Sequence, residues 1–544
     1  MSKYLYLLLC LLLCCNCNNE KEPDIIVKRL SLSCNNLILN WTNSKSKVTI
    51  NANTHWIIQS EIPSWISIDI TEGDKGTTTA TIEASDNLNE KNRSCSIIFT
   101  TDEQEQILYI TQKTKEILYF KGKKRYTLSS EPTTLDIAIE QNISYDIKIL
   151  KTEDYEWIKQ TNEEESNGDP NSIATNNPTQ NNIHLDIEEN LLTETRFANI
   201  VIFNKDLLLS DTLYIEQNIG KGRHYDGEYF QLQQASIGKG VNIIIMGDGF
   251  TRQDMALNGR YETIMKQTAD YFLSIEPYNS YRDYFNIYMI VVESEEAGVG
   301  TKNSFGGTVN NKFGTAYGNG TEITCNADLC LKYAHKVKEL PTNMPITVII
   351  SLNSTKYAGT TYLYSNGNSI ALCPMSTEIP PNDFEGLIHH EAGGHGFGFL
   401  CDEYVYYKQE MPESRKRDLK EWQKLGFQMN LDFTDDPSSI LWKDFIGIEK
   451  YHQVGAYEGG YEYQYGVWRS EANSCMNNNI PYFNVQSRWS IVSRIMKLAG
   501  AKDFTIQDFI NSDHSTFWNE TITRRKISDI KKFPPLGCPK WIKH

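Results

Sequence analysis

The run His389-His390-Glu391-Ala392-Gly393-Gly394-His395 decides how the longer, C-terminal part of this chain is read, because it gathers three of only 10 histidines into seven residues. The approach Phe384-Glu385-Gly386-Leu387-Ile388 is helical in character, and Leu400 continues its apolar face. Imidazoles one helical turn apart can bind one zinc ion, and a glutamate beside the first can deprotonate a zinc-bound water. The spacing here is i+5, His390 to His395. On an ideal α-helix that sets the rings about 140° apart, against about 40° for i+4. Two registers follow. In the first, a single π-type turn with i→i+5 bonding aligns His390 with His395, and Gly393-Gly394 supplies a deformable backbone. In the second, Glu391 and His395 are the i, i+4 ligand pair and His390 has other work. The first is preferred because it keeps Glu391 as the catalytic base. Beyond the helix, Gly398 lets the chain turn back toward the metal. Asp402 is the expected third ligand and Glu403 the second choice; the plain reading of the pair is a solvated helix end.

Upstream, Val241-Asn242-Ile243-Ile244-Ile245-Met246 reads as a buried strand closed by Gly247-Asp248-Gly249. An ion at that turn is possible chemistry, but a strand-ending turn is the simpler reading. Tyr261, Ile264, Met265, Thr268, Tyr271, Phe272 and Ile275 keep helical spacing. Strands are expected over 285–292 and 346–350 and a helix over 329–340. Mixed elements of this kind predict an α/β catalytic domain over residues 225–544 with a helical C-terminal part.

Farther upstream the pattern is all-β and repeats. Trp56 and Trp65, the alternating run Thr79 to Ala84, Arg93, Ile97-Ile98-Phe99 and a strand ending at Gln112 form one copy. Tyr145, Trp157, Ile183 to Ile187, Arg196, Ile200 to Phe203 and a strand ending at Gln217 form another. The two glutamines lie 105 residues apart, which predicts tandem β-sandwiches over 26–115 and 116–218. Residues 161–182 read as a loop inserted in the second copy. Trp56 and Trp65 are each either core or a platform for a sugar, and core is the commoner use.

The first sandwich resembles the BACON domain, and the second resembles it more distantly; such domains are suspected of binding glycan or mucin. Val241 to Thr251, Tyr284-Phe285-Asn286, His390 to Tyr404, Val454 to Gly460 and Arg469 to Met476 together resemble the IgA-peptidase family of zinc metallopeptidases, a metzincin-like fold. The family pattern reads H-E-x-G-H and then D-E-Y. Asp402-Glu403-Tyr404 matches directly, while one residue is added between Glu391 and His395. The resemblance implies an endopeptidase with zinc on His390, His395 and Asp402, Glu391 as base, and Met476 as a soft floor beneath the metal. The substrate it implies is a protein or glycoprotein.

Composition agrees with a large exported chain. Its 544 residues exceed one ordinary core, and its net charge of −16 argues against a nucleic-acid partner. Lys3 and the apolar run Tyr4 to Cys15 have signal-peptide length. With Asn18-Asn19-Glu20-Lys21-Glu22 following, residues 1–17 resemble a lipoprotein signal in which Cys15 or Cys17 is acylated. The expected location is the outer membrane or cell surface of a Gram-negative bacterium, reached by lipid anchor alone. Eight cysteines lie beyond this segment and form no C-x-x-C set; Cys325 and Cys330 are the closest pair. Two other functions compete with the peptidase: an inactive protein that keeps the fold, and a glycan-binding surface protein whose activity lies in the sandwiches.

Overall fold

The structure is a computed structural model; it describes residues 29–153, 155–161, 179–302, 307–341, 344–501, 503–514 and 534–542. The expected signal at 1–17 lies outside them. Among the described residues no helix is long and apolar enough to cross a membrane. The chain divides into two compact units, one of residues 1–188 with 195–218 and one of 189–194 with 219–544.

The first unit holds the repeat. In the first sandwich a four-stranded sheet built on Ser44–Ala52 and Gly76–Ala84 faces a five-stranded sheet built on Arg93–Thr100 and Glu105–Gln112. Alternation puts Val48, Ile50, Ile82, Ile97, Phe99, Leu108 and Ile110 in its core with Trp56. The second sandwich pairs Thr133–Gln141 with Thr179–Ile187, and Arg196–Asn204 with Leu209–Gln217. Both copies close the same way. Arg93 Nε donates to Gln112 Oε1 at 2.9 Å and Arg196 Nε to Gln217 Oε1 at 2.8 Å. The Arg93 guanidinium covers Trp65 and that of Arg196 covers Trp157. Trp56 and Trp157 are fully buried, so neither is a sugar platform. The expected loop over 161–182 is too long: Thr179 to Asn182 belong to a strand, drawn in by pairing with Ala138 to Gln141.

The second unit is built on one mixed sheet. Its strands in chain order are β1 (Tyr229–Gln233), β2 (Val241–Asp248), β3 (Phe285–Ile290), β4 (Thr347–Leu352), β5 (Thr360–Tyr364), β6 (Ser369–Pro374) and β7 (Lys540–Ile542). Their order across the sheet is β1-β3-β2-β4-β6-β5-β7. Strands β3, β2, β4 and β6 are mutually parallel, while β1 and β5 run antiparallel to their neighbours β3 and β6. Every residue of β2 and β4 is buried, as expected where both faces are covered. On one face lie α1 (Arg260–Ser274) and α4 (Val485–Ala499); on the other lies α2 (Ala327–Ala334). Helix α2 stops six residues short of the expected end, at a cap formed by His335. Asp248, at the end of β2, anchors the turn: its carboxylate accepts from Ser294 Oγ, Phe313 N and Thr315 Oγ1 and so pins two loops. Its Gly neighbours bring the backbone close to Gly298 and to the Phe250 and Tyr261 rings.

Candidate metal centre

The histidine run continues the short helix α3 (Phe384–Leu387), which Asp383 caps by accepting from Gly386 N. From Ile388 to Phe397 the helix is π throughout, ten residues rather than one widened turn. Bonding of the i→i+5 kind returns the chain to one face every fifth residue, and the added residue between Glu391 and His395 is thereby absorbed. The two rings stand 4.8 Å apart between centroids, nearly perpendicular.

Both imidazoles are oriented from behind. His390 Nδ1 meets the Cys475 carbonyl at 3.1 Å and His395 Nδ1 the Leu400 carbonyl at 2.8 Å. A carbonyl only accepts, so each Nδ1 carries a proton and each Nε2 is the nitrogen turned forward, its lone pair available to a metal once no proton sits there. The Nε2 atoms lie 3.2 and 3.3 Å from one oxygen of Asp402. Tetrahedral ligands at zinc distances of 2.0–2.1 Å are about 3.3 Å apart, so the three groups stand at the separations an ion needs. All three are buried and their ligand atoms lie within 4.8 Å of one another. His395 Nε2, Asp402 Oδ2 and Glu391 Oε1 have no hydrogen-bond partner. Buried polar atoms are seldom left so, and the donor set of two neutral imidazoles and a carboxylate is one that zinc takes. The residues present fit the ion.

Electrostatics agree. Burial alone would favour the neutral forms of His395 and Asp402, but their mutual attraction outweighs it, holding His395 at about 9 and Asp402 at about 2. The proton on His395 is the one a metal displaces. Burial raises Glu391, against the opposing pull of His395, His390 and Thr361. Glu391 is aimed by Thr361, whose Oγ1 donates to Oε2 at 2.6 Å. Gly359 leaves room for it, since a Cβ there would lie 2.3 Å from Oε1.

Several residues do work other than expected. The turn after the π-helix is made by Phe399, with φ 53°, and not by Gly398, whose φ is −72°. Gly398 is glycine because a Cβ would meet the carbonyls of Gly394 and Gly393 at 2.8 and 2.9 Å. Phe399 is held in its left-handed conformation by the Arg494 guanidinium, 3.5 Å above its ring, and by Phe427 stacked at 3.9 Å. Gly393 and Gly394 keep right-handed helical backbone; a Cβ on Gly394 would fall 2.2 Å from Met476 Sδ. Met476 is thus packed directly beneath the helix. Glu403 lies apart from the candidate ligands: it accepts from Asn430, Asn484 and Ser474 side chains, and its N–H donates to the Met476 carbonyl. It ties the ligand segment to the turn that holds Met476 and Cys475. His389 points to α1, at 2.9 Å from the Tyr271 carbonyl, and burial lowers it to about 4. Thr361, Asn430 and Asn484 carry no sequence signal, for each is an ordinary polar residue beside an apolar one (Tyr362, Leu431 and Val485), outside any motif and far along the chain from the histidines. Cys325 and Cys330 are thiols, as are the other described cysteines.

Residues 231–451 match the model of the IgA Peptidase M64 family, and residues 54–113 that of BACON, a putative N-terminal binding domain. Both resemblances read from the sequence are borne out, as is the order of β-rich modules before a peptidase domain. No curated protein matches the chain. Among solved structures, a Bacteroides ovatus GH5 xyloglucanase with a XXXG heptasaccharide is 17% identical over 19% of this chain and 22% of its own, with a TM-score of 0.15. The titin I-band fragment I67–I69 is 9% identical over 36% and 64%, with a TM-score of 0.23. The chain thus spans under two thirds of the length of either.

Proposed function

We propose, from the match of residues 231–451 to a metallopeptidase family, that this chain is a zinc endopeptidase cleaving extracellular proteins or glycoproteins. The observation that carries the reading is the convergence of His390 Nε2, His395 Nε2 and Asp402 on one point beside an unpartnered Glu391 oxygen. A zinc ion held there would polarise the scissile carbonyl and acidify water. Glu391, whose carboxyl burial raises, takes the proton of the attacking water on Oε1 and delivers it to the leaving amine. Thr361 keeps that carboxylate in place through Oε2. The Cys475 and Leu400 carbonyls hold the imidazoles in the tautomer that leaves Nε2 free. The added residue, which favoured an inactive protein, is accommodated by the π-helix.

The reading extends to location. Export and acylation at Cys15 or Cys17 would place the enzyme at the surface of a Gram-negative cell, with the sandwiches lifting it from the membrane and offering glycan or mucin contact. Fatty-acid-analogue labelling tests this: a Cys14/Cys15/Cys17 triple serine variant that labels like the parent rejects it. For the chemistry, turnover of a casein substrate by the zinc-loaded chain and its loss in Glu391→Gln is the expected result. Undiminished turnover in Glu391→Gln rejects the mechanism.

A further inference from the structure

We propose that the cavity bounded by Trp422, Gln428, Tyr461 and Trp541 is a binding site for a neutral pyranose, through which the second unit recognises glycan on its substrate. That a sugar binds rests on the cavity alone; that it steers cleavage rests on the peptidase reading.

The cavity, of about 390 Å³, lies beside the helix Glu413–Gln423. At roughly 30 Å³ per water it has room for about a dozen waters, or one sugar ring. Its walls are aromatic. The Trp422 and Trp541 rings lie 4.0 Å apart and 36° from parallel, and Phe427 backs each of them at 5.5 Å. Trp422 and Tyr461 are buried, whereas Arg415, Asp418 and Glu421 are exposed and form a charged rim. Gln428 lines the same cavity. It is 1% exposed, and neither Oε1 nor Nε2 has a partner among the described residues; Trp541 Nε1 has none either. An amide buried without partners is costly. Gln428 and Tyr461 also hold left-handed backbone, with φ 58° and 47°. Both costs fall on one cavity, and such costs collect where ligands bind.

The unpaired groups select the ligand. Gln428 Nε2 and Trp541 Nε1 need acceptors, and Gln428 Oε1 needs a donor. A cation supplies no acceptor, so an ammonium group in this aromatic box would leave both N–H groups unmet. An anion supplies no donor, and Asp418 and Glu421 oppose it at the rim. A hydroxyl supplies both. Vicinal hydroxyls of a pyranose match the amide with one donated and one accepted bond, while the C–H face of the ring packs on an indole. The cavity adjoins the metal centre. Tyr461 N donates to the Asp402 carbonyl at 2.9 Å, and Gln428 N to the Phe399 carbonyl at 2.7 Å. A sugar held there stands beside the segment 399–402 that carries Asp402, so the glycan and the scissile bond belong to one glycoprotein.

The test uses the full chain. Tryptophan fluorescence is titrated with methyl β-galactoside, methyl α-mannoside and methyl β-glucoside, and with tetramethylammonium as the cationic control. At least one glycoside should saturate with a Kd of about 1 mM or tighter. Gln428→Leu keeps the bulk of the side chain and removes its polar atoms. It should weaken that Kd about tenfold or more and leave Tm unchanged or higher, because an unpaired amide gives way to an apolar group of like shape. Should it fail to fold, the rim variant Asp418→Ala/Glu421→Ala should weaken binding roughly threefold or more. In the zinc-loaded chain, a glycoprotein carrying the bound sugar should be cut several-fold faster than its deglycosylated form, and Gln428→Leu should erase the difference. No saturation by any glycoside, saturation that survives Gln428→Leu, or saturation by tetramethylammonium instead overturns the proposal. Equal rates on the two forms of the glycoprotein overturn its role in recognition. Sugar binding that Gln428→Leu abolishes while no protein is cut leaves the site standing and removes the peptidase reading.

Discussion

Replacing Gly394 by alanine puts a methyl group where the floor of the metal site already stands. The added Cβ would lie 2.2 Å from Met476 Sδ and 3.0 Å from its Cε, where ordinary contacts are about 3.5–4.0 Å. A methionine side chain adapts readily, but this one is fully buried and its turn is tied down on both sides. The Cys475 carbonyl accepts from His390 Nδ1, and the Met476 carbonyl accepts from Glu403 N. Moving the sulfur therefore moves the groups that orient a metal ligand. Overpacking of this kind costs about 1–3 kcal/mol, and we expect about 2 kcal/mol for Gly394→Ala together with weaker zinc binding. Urea unfolding of the zinc-free chain and zinc titration against a chromophoric chelator measure the two effects. The double variant Gly394→Ala/Met476→Ala should recover part of the loss, with a coupling of about 1 kcal/mol or more. Wild-type unfolding and wild-type zinc affinity in Gly394→Ala would refute the reasoning.

Thr361→Val should leave zinc content unchanged and lower kcat about tenfold or more, because Glu391 loses the donor that aims it; equal kcat, or loss of zinc, contradicts this. Burial lowers the His389 pKa to about 4, from the 6.5 of a free imidazole. Its contribution is complete above pH 6.5 and is lost as pH falls through the window down to 4, about 3 kcal/mol in all. A His389→Gln chain should show a flatter pH dependence of stability there. Asp513→Ala should cost about 3–5 kcal/mol, because it strands the buried Arg488 guanidinium that bonds both carboxylate oxygens at 2.9 and 2.7 Å; urea unfolding reads it.

The sandwiches and the first strands of the sheet were legible because their signals are local. Alternating apolar residues set the strands around Trp56 and Trp157, and the unbroken apolar run Val241 to Met246 marks a strand covered on both faces. The π-helix was half legible. The i+5 spacing demanded a widened turn, but spacing cannot say that the widening extends over ten residues. Backbone freedom is not what requires Gly394, where the constraint is a contact with Met476, some 80 residues away in sequence; Gly393 lies instead against the Tyr278 ring. Likewise Gly398 seemed the natural turn residue, while an Arg494 contact from α4 offsets the strain of Phe399 instead. Strand β7 left no sequence trace, because three residues after a Pro-rich run carry no period. Asp402 and Glu403 are adjacent and chemically alike; only the three-dimensional placement of Asn430, Ser474 and Asn484 separates their roles.

The ligand set is the centre of the account, and anomalous diffraction at the zinc edge from crystals grown with zinc tests it most directly. The expected result is one peak bonded to His390 Nε2, His395 Nε2 and a carboxylate oxygen of Asp402, with Glu391 close by but not coordinated. A peak held by Glu391 and His395 with His390 turned away would install the other register and remove the base, and no peak at these residues would contradict the metal centre itself.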